Sequence, residues 1–324
     1  MNNFRILSIN VLAPESLLFF WRSSYGLSTD QYKSNQSYDE VNFNRIDQFL
    51  NYINRYLPDI ICLQEVSDRD YDYLNFNGLN QTIQNYIAKQ LDYTVISQSF
   101  TNSIFQYNYP PIEQTRKFSV NLGVATLIKN NSQVKFLRNI STANLFGQSQ
   151  IFKLGDGSPF TLDAFKIGKY IFNIVNVHIK MHNYHIGKSC EEVFLRLNHD
   201  LENNYGWSKT IIVGDFNAHT SLCSAELKNS HLCSQMTDLT SHINIDSKIL
   251  IGYNYQKHGF QVNYWIAKDL PILIQNVNQS LPMMSDLWQF PETQYCLSET
   301  NNQLIGNNLA TADHYPMFIN VDVT

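Results

Sequence analysis

Short β-branched runs recur along the chain, and most are apolar on both faces. They are "FRILSIN" (4–10), "DIICLQ" (59–64), "YTVIS" (93–97), "GVATLIK" (123–129), "VKFL" (134–137), "FTLDAF" (160–165), "YIFNIVNVHI" (170–179) and "TIIVG" (210–214). A strand with two apolar faces must be covered on both sides, so these runs predict central strands inside packed layers. A later pair, "ILIGYNY" (249–255) and "FQVNYWIA" (260–267), is separated by "QKHG" and reads as a hairpin. "MFINVDV" (317–323) predicts a last strand.

Helical signals are fewer. Residues 42–57 place Phe43, Ile46, Phe49, Leu50 and Ile53 at helical spacing. Residues 79–91 do the same, and 189–205 open on Ser189-x-x-Glu192, a capping box. Polar stretches at about 22–41, 98–120 and 138–158 read as loop insertions. No repeat or low-complexity linker divides the chain. Many strands, few helices and 324 residues therefore predict one domain over 1–324, an α/β fold of two packed sheets with helices outside. No G-x-G-x-x-G follows the first strand, so a Rossmann fold fits poorly.

Composition narrows the function classes. A 44% hydrophobic content with 16% charged residues fits a globular core. The net charge of −5 carries no overall basic footprint for nonspecific nucleic-acid binding, although a local basic groove is compatible with it. The five cysteines (Cys62, Cys190, Cys223, Cys233 and Cys296) form no C-x-x-C, which argues against a zinc site and against a disulfide framework. With no secretory signal and no apolar run near the roughly 20 residues of a membrane span, the expectation is a soluble, cytoplasmic protein.

Polar residues gather where the apolar runs stop. Asn10 ends the first, Glu65 follows the second and His178 lies near the end of "NIVNVHIK". Asp215 and Asn217 follow "TIIVG", and Asp313 and His314 precede the last strand. Alone, each is an ordinary turn or core residue. Together, at strand ends converging on one edge, they would supply what phosphoester hydrolysis needs. Mg2+ takes one or two carboxylates plus waters and substrate phosphate, which suits Glu65, Asp313 and the Asn10 amide. Asp215 could hold a water, while Asn217, His178 and His314 could donate to phosphate oxygens.

"SINVLA", "PDIICLQEV", "NVHIK", "IIVGDFNAH" and "ADHYPMF", in this order over 4–320, resemble the endonuclease/exonuclease/phosphatase superfamily. The resemblance implies the DNase-I-like fold, a four-layer α/β sandwich of two packed mixed β-sheets flanked by helices. It also implies Mg2+-assisted phosphoester hydrolysis, with Mn2+ as an alternative ion. Glu65 would be the principal metal ligand, with Asn10 beside it and Asp313 near metal and substrate. Asp215 would orient or deprotonate the water, Asn217 would contact the phosphate and His178 would stabilise the transition-state oxyanion. His314 would bind the scissile phosphate.

Two departures from the family pattern stand out. Ala312 replaces the usual Ser before Asp-His. Asn263, in "QVNYWIA", stands where the family carries an Asp that orients the final His. An Asn carbonyl still accepts an imidazole N–H, but the charge favouring the imidazolium is gone. A weaker alignment puts Asp246 there.

The substrate is open at this level, because the fold serves several. "NVLA" and "VHIK" are most similar to the deadenylase/nocturnin branch, which favours nucleic acid or nucleotide. "DHYP" is also found in the sphingomyelinase branch, which keeps lipid and inositol head groups in play. A binding module with weakened catalysis is the third reading. "SLLFFW" (16–21), ending in Trp21, would stack on bases, wedge into lipid or pack into the core. Arg116 and Lys117 would contact phosphate or face solvent.

Overall fold

The computed structural model describes residues 2–11, 13–15, 38–109, 112–139, 158–178, 210–215, 236–238, 262–267, 272–273 and 317–323. The chain starts with β1 (Asn2–Asn10), α1 (Tyr38–Tyr56) and β2 (Ile60–Ser67). The small hairpin β3 (Tyr71–Phe76) and β4 (Leu79–Gln81) leads into α2 (Ile83–Leu91). Next come β5 (Tyr93–Tyr109), β6 (Ile112–Lys129), β7 (Lys135–Asn139), β8 (Phe160–Ile167), β9 (Tyr170–His178) and β10 (Thr210–Asp215). The last strands are β11 (Met236–Asp238), β12 (Val262–Ala267), β13 (Ile272–Leu273) and β14 (Met317–Val323).

Two six-stranded sheets result, ordered β13-β14-β1-β2-β6-β5 and β11-β12-β10-β9-β8-β7. Both are mixed in the same way. Each has one parallel pair at its centre, β1 with β2 and β9 with β10, and antiparallel neighbours on both sides. The parallel pairs face each other across the sandwich, with β1 and β2 against β10 and β9. β14 pairs with β1, so the last described strand closes against the first.

Alternation along each strand builds two cores. Leu7 and Ile9 of β1 and Ile61 and Leu63 of β2 pack with Ile46, Phe49 and Ile53 of α1 and Ile83 and Ile87 of α2. The alternate residues Phe4, Ile6, Ile60 and Cys62 face the second sheet, against Phe165, Phe172, Ile174, Ile211 and Val213. The helices therefore cover the outer face of the first sheet. The helix expected at 189–205 and the strand expected at 249–255 lie outside the described residues.

Three expectations change. The helix predicted over 79–91 begins at Ile83, because Asn77 and Gly78 (φ 53° and 81°) close a two-residue hairpin between β3 and β4. Thr82 then caps the helix, its hydroxyl accepting from the Asn85 N–H at 3.3 Å. The stretch 98–120 contains strand: β5 and β6 pair as one ribbon from Tyr93↔Lys129 to Tyr109↔Ile112. Polar cross-strand partners such as Asn102 and Asn121 hide its period-2 signal. On α1, Phe43 is 37% exposed while Asn42 and Arg45 are buried, so the stripe facing the sheet runs through 42, 45, 46, 49 and 53.

A polar layer separates the apolar inter-sheet core from the strand ends. The Gln64 amide donates to Asn176 Oδ1 at 2.8 Å, and the Asn176 amide donates to the Leu63 and Ala125 carbonyls at 3.2 and 3.1 Å. Asp163 is buried nearby and accepts from the Ser97 hydroxyl at 2.5 Å and the Asn139 amide at 2.7 Å. Burial pushes its carboxyl up from 3.8 to about 6. An acid with a raised folded-state pKa stabilises the fold fully below its unfolded value and loses that contribution as pH rises through the folded one. Asp163→Asn cannot ionise. From pH 4 to 7 wild-type stability should fall relative to this variant by about 2 kcal/mol. Denaturation midpoints across that range check it, and a constant difference would refute it.

Candidate active site

Followed toward their carboxyl ends, the inward faces of the four central strands change from apolar to polar or ionisable. β1 runs Phe4, Ile6, Ser8, Asn10, and β9 runs Phe172, Ile174, Asn176, His178. β2 runs Ile60, Cys62, Gln64 and then Glu65, and β10 runs Ile211, Val213, Asp215. In-register parallel pairing aligns these ends, with Asn10 opposite Gln64 and Asp215 opposite His178.

The four terminal side chains meet across the sandwich. Asn10 Nδ2 donates to Glu65 Oε1 at 3.1 Å and to Asp215 Oδ2 at 2.8 Å, tying the two sheets together. His178 Nε2 lies 3.6 Å from Glu65 Oε1 and 3.8 Å from Asp215 Oδ2, beyond a direct hydrogen bond. One ligand atom each of Glu65, His178 and Asp215 falls within 4.8 Å of the other two. Asp215 is fully buried, and Glu65 keeps partial access to solvent.

Two backbone irregularities make this convergence. Glu65 has φ 52° and sits at a bulge where the β2–β6 register shifts between Gln64 and Val66. The extra residue reverses the alternation: Val66 returns to the helix-side core, and Glu65 reaches Asn10. A glutamate in left-handed conformation costs of order 1 kcal/mol or more, which the surrounding pairing must offset. Gly214 has φ 149°, and a Cβ there would lie 1.9 Å from the Val177 carbonyl oxygen. Only glycine lets β10 approach β9 this closely beside Asp215.

Two carboxylates share one amide donor here, and Glu65 Oε2 is buried without a hydrogen-bond partner among the described residues. Such an oxygen costs about 1–3 kcal/mol, more when charged. A divalent cation would satisfy it and offset the like charges. Hard oxygen donors with one imidazole fit Mg2+ or Mn2+.

Residues 38–224, more than half of the chain, match the model of the Endonuclease/Exonuclease/phosphatase family. The chain belongs to this family. Glu65, His178, Asp215 and Asn217 lie inside the match. Similar solved structures span the whole chain. The human nocturnin catalytic domain with bound sulfate is 15% identical, covers 100% of this chain and 94% of its own, and has a TM-score of 0.54. ANGEL2, described as a 2',3'-cyclic phosphatase and solved with adenosine-2',3'-vanadate, is 13% identical over 99% of this chain and 95% of its own (TM-score 0.55). D. rerio TDP2 with a single-strand DNA product is 12% identical over 99% of each chain (TM-score 0.52). At these identities the likeness is one of fold, the DNase-I-like fold expected from the motifs. No curated protein sequence matches the chain. The family assignment makes this a phosphoesterase-type hydrolase fold with a candidate acidic and histidine cluster at its strand ends.

The other residues singled out from the sequence divide into two groups. Asn263 lies in β12 directly opposite Gly214, one register position from Asp215. Arg116 lies in β6 opposite Tyr107, in the part of the β5–β6 ribbon beyond the Ser67↔Leu122 pair that ends the β2 pairing. Asn217, Trp21, Asp313, His314 and the alternative Asp246 lie outside the described residues, although β14 enters at Met317 opposite Ser8, the Asn10 end of β1. The family reading passed over Gln64, Asn176 and Arg45. A polar residue on the inward phase of an apolar strand, or an arginine on a helix's apolar stripe, is the signal that finds them.

Proposed function

We propose that this protein is a divalent-metal-dependent phosphoesterase acting on a nucleic acid or a nucleotide. The observation that carries the reading is the Glu65–Asn10–Asp215–His178 cluster, with two carboxylates on one amide and a Glu65 oxygen that has no hydrogen-bond partner among the described residues. Glu65 would hold Mg2+, with Asn10 and Asp313 completing the protein ligands. Bound there, Mg2+ supplies positive charge against the phosphate oxygens. The pairing of β14 with β1 supports taking 1–324 as one domain.

The chain's own residues then perform the hydrolysis. Asp215 orients the attacking water and accepts its proton as the new P–O bond forms. His178 donates toward a non-bridging phosphate oxygen, where negative charge grows. Asn217, two residues beyond Asp215, contacts the phosphate, and His314 binds the scissile group. The bond to the leaving oxygen breaks, and that oxygen takes up a proton. Arg116 would meet substrate phosphate and Trp21 a base. Nucleic acid or nucleotide over lipid head groups is supported by the similar structures of TDP2 with a DNA product and ANGEL2 with adenosine-2',3'-vanadate.

A panel of RNA, DNA, nucleotides, inositol phosphates and sphingomyelin in Mg2+ or Mn2+ tests the reading. Glu65-dependent turnover of a nucleic acid or nucleotide is expected. Turnover of lipid or inositol substrates alone overturns the substrate class, and no Glu65-dependent turnover overturns the enzymatic reading. Asn263→Asp provides a further check. Restoring the carboxylate beside the final histidine should raise kcat by about tenfold, one pKa unit's worth of imidazolium stabilisation. Steady-state kinetics read this, and an unchanged or lower kcat removes Asn263 from the mechanism.

A further inference from the structure

Arg45 heads the large, fully buried side chains among the described residues, at 1% exposure. It lies on the sheet-facing stripe of α1, beside Ile46, Phe49 and Ile53, which pack with ordinary apolar contacts. A guanidinium brought out of water costs several kcal/mol unless its donors are met. Helix packing alone would be served better by an apolar side chain. The bonds Arg45 makes explain what it does there.

Nη1 of Arg45 donates to Asn42 Oδ1 at 2.7 Å, one turn back on α1, and Asn42 is itself fully buried. Nη2 donates to the Val11 carbonyl at 2.8 Å. The Val11 N–H donates to the Gln64 carbonyl at 2.9 Å. Both polar backbone groups of Val11 are therefore held, one by β2 and one by α1. Val11 immediately follows Asn10, whose side-chain amide bridges Glu65 and Asp215. Gln64 immediately precedes Glu65. The chain leaving β1 is thus clamped to the element that carries the other half of the site.

We propose that Arg45 is a positioning residue: through the Val11 carbonyl it holds Asn10 where its amide spans both carboxylates, and so sets the site's affinity for a divalent cation. Asn42 aims the fork. Lysine is a poor substitute, because an ammonium lacks the rigid paired donors that reach both acceptors. The link to catalysis rests on the metal-dependent reading above, whereas the link to Asn10 geometry does not.

The test uses the full chain with Arg45→Lys and Arg45→Met, thermal melting to establish folding, and two readouts that do not require turnover. One is Mn2+ affinity by titration calorimetry. The other is the Asn10 side-chain amide resonance in the metal-free protein. Folded variants should bind Mn2+ about tenfold or more weakly, the scale of losses when a group behind a metal ligand is removed. The Asn10 resonance should shift or broaden, and kcat should fall with little change in KM. A folded variant with wild-type Mn2+ affinity and an unmoved Asn10 resonance overturns the proposal. Should both Arg45 variants fail to fold, Asn42→Ala decides: weakened Mn2+ binding supports the clamp, and unchanged binding overturns it. A wild-type protein that binds Mn2+ through Glu65 but hydrolyses nothing defeats the enzymatic reading and leaves both readouts of Arg45 in force.

Discussion

Replacing Glu65 with glutamine is expected to lower kcat/KM for Mg2+-dependent hydrolysis by about 10³-fold, the rate equivalent of several kcal/mol of lost charge stabilisation. Glutamine is the informative choice. It keeps the length of the side chain and pays the same left-handed backbone cost at φ 52°, so loss of charge is separated from loss of the bulge. The stability readout is as specific as the kinetic one. A cation that binds only the folded chain at one hundred times its Kd stabilises it by about 2.7 kcal/mol. Wild type should therefore melt higher in Mg2+ than in EDTA, and Glu65→Gln should show little difference. Equal melting of both proteins in both conditions, together with retained activity, would remove Glu65 from the metal site.

The second large effect is expected at Asp215. Asp215→Asn should cost about 10² to 10⁴ in kcat, the range for loss of a positioned general base. It should also leave most of the Mg2+-dependent rise in melting temperature in place, which distinguishes it from Glu65→Gln. In EDTA the variant should melt no lower than wild type. It removes one of two neighbouring like charges that share the Asn10 amide, and the asparagine oxygen can still accept from Asn10 Nδ2. Thermal melts with and without Mg2+ alongside single-turnover rates test both halves. Loss of the Mg2+ shift would make Asp215 a metal ligand instead of the base.

The clearest sequence signals were those carried by short spans. β14 spans the predicted residues 317–323, and β2, β8, β9 and β10 contain most of their predicted runs, because buried strands cannot hide their apolar character. The hairpin at Asn77–Gly78 was missed, because the helical spacing that follows masked its two-residue turn. Of the β5–β6 ribbon only the runs 93–97 and 123–129 were legible. Between them each strand mixes polar and apolar residues, and pairing supplies the regularity that the sequence lacks. On α1 the same limit applied to Arg45, since a lone arginine reads as solvated until the Val11 carbonyl is seen beside it.

The order of the motifs determined the family and the kind of chemistry. "LQE" and "GDFN" place carboxylates and an amide at the end of an apolar run, "DHYP" places a carboxylate and an imidazole just before one, and that much is local. Tertiary structure alone decided that Asn10, Glu65, His178 and Asp215 form one cluster. Asn10 and Asp215 are 205 residues apart in sequence, and they meet at 2.8 Å because two sheets with matching central parallel pairs stack with their carboxyl ends together. The bulge that turns Glu65 inward and the glycine that lets β10 lie against β9 are likewise products of strand pairing. A chain's pattern specifies which face of each strand is buried, but only packing determines which strand ends share a site.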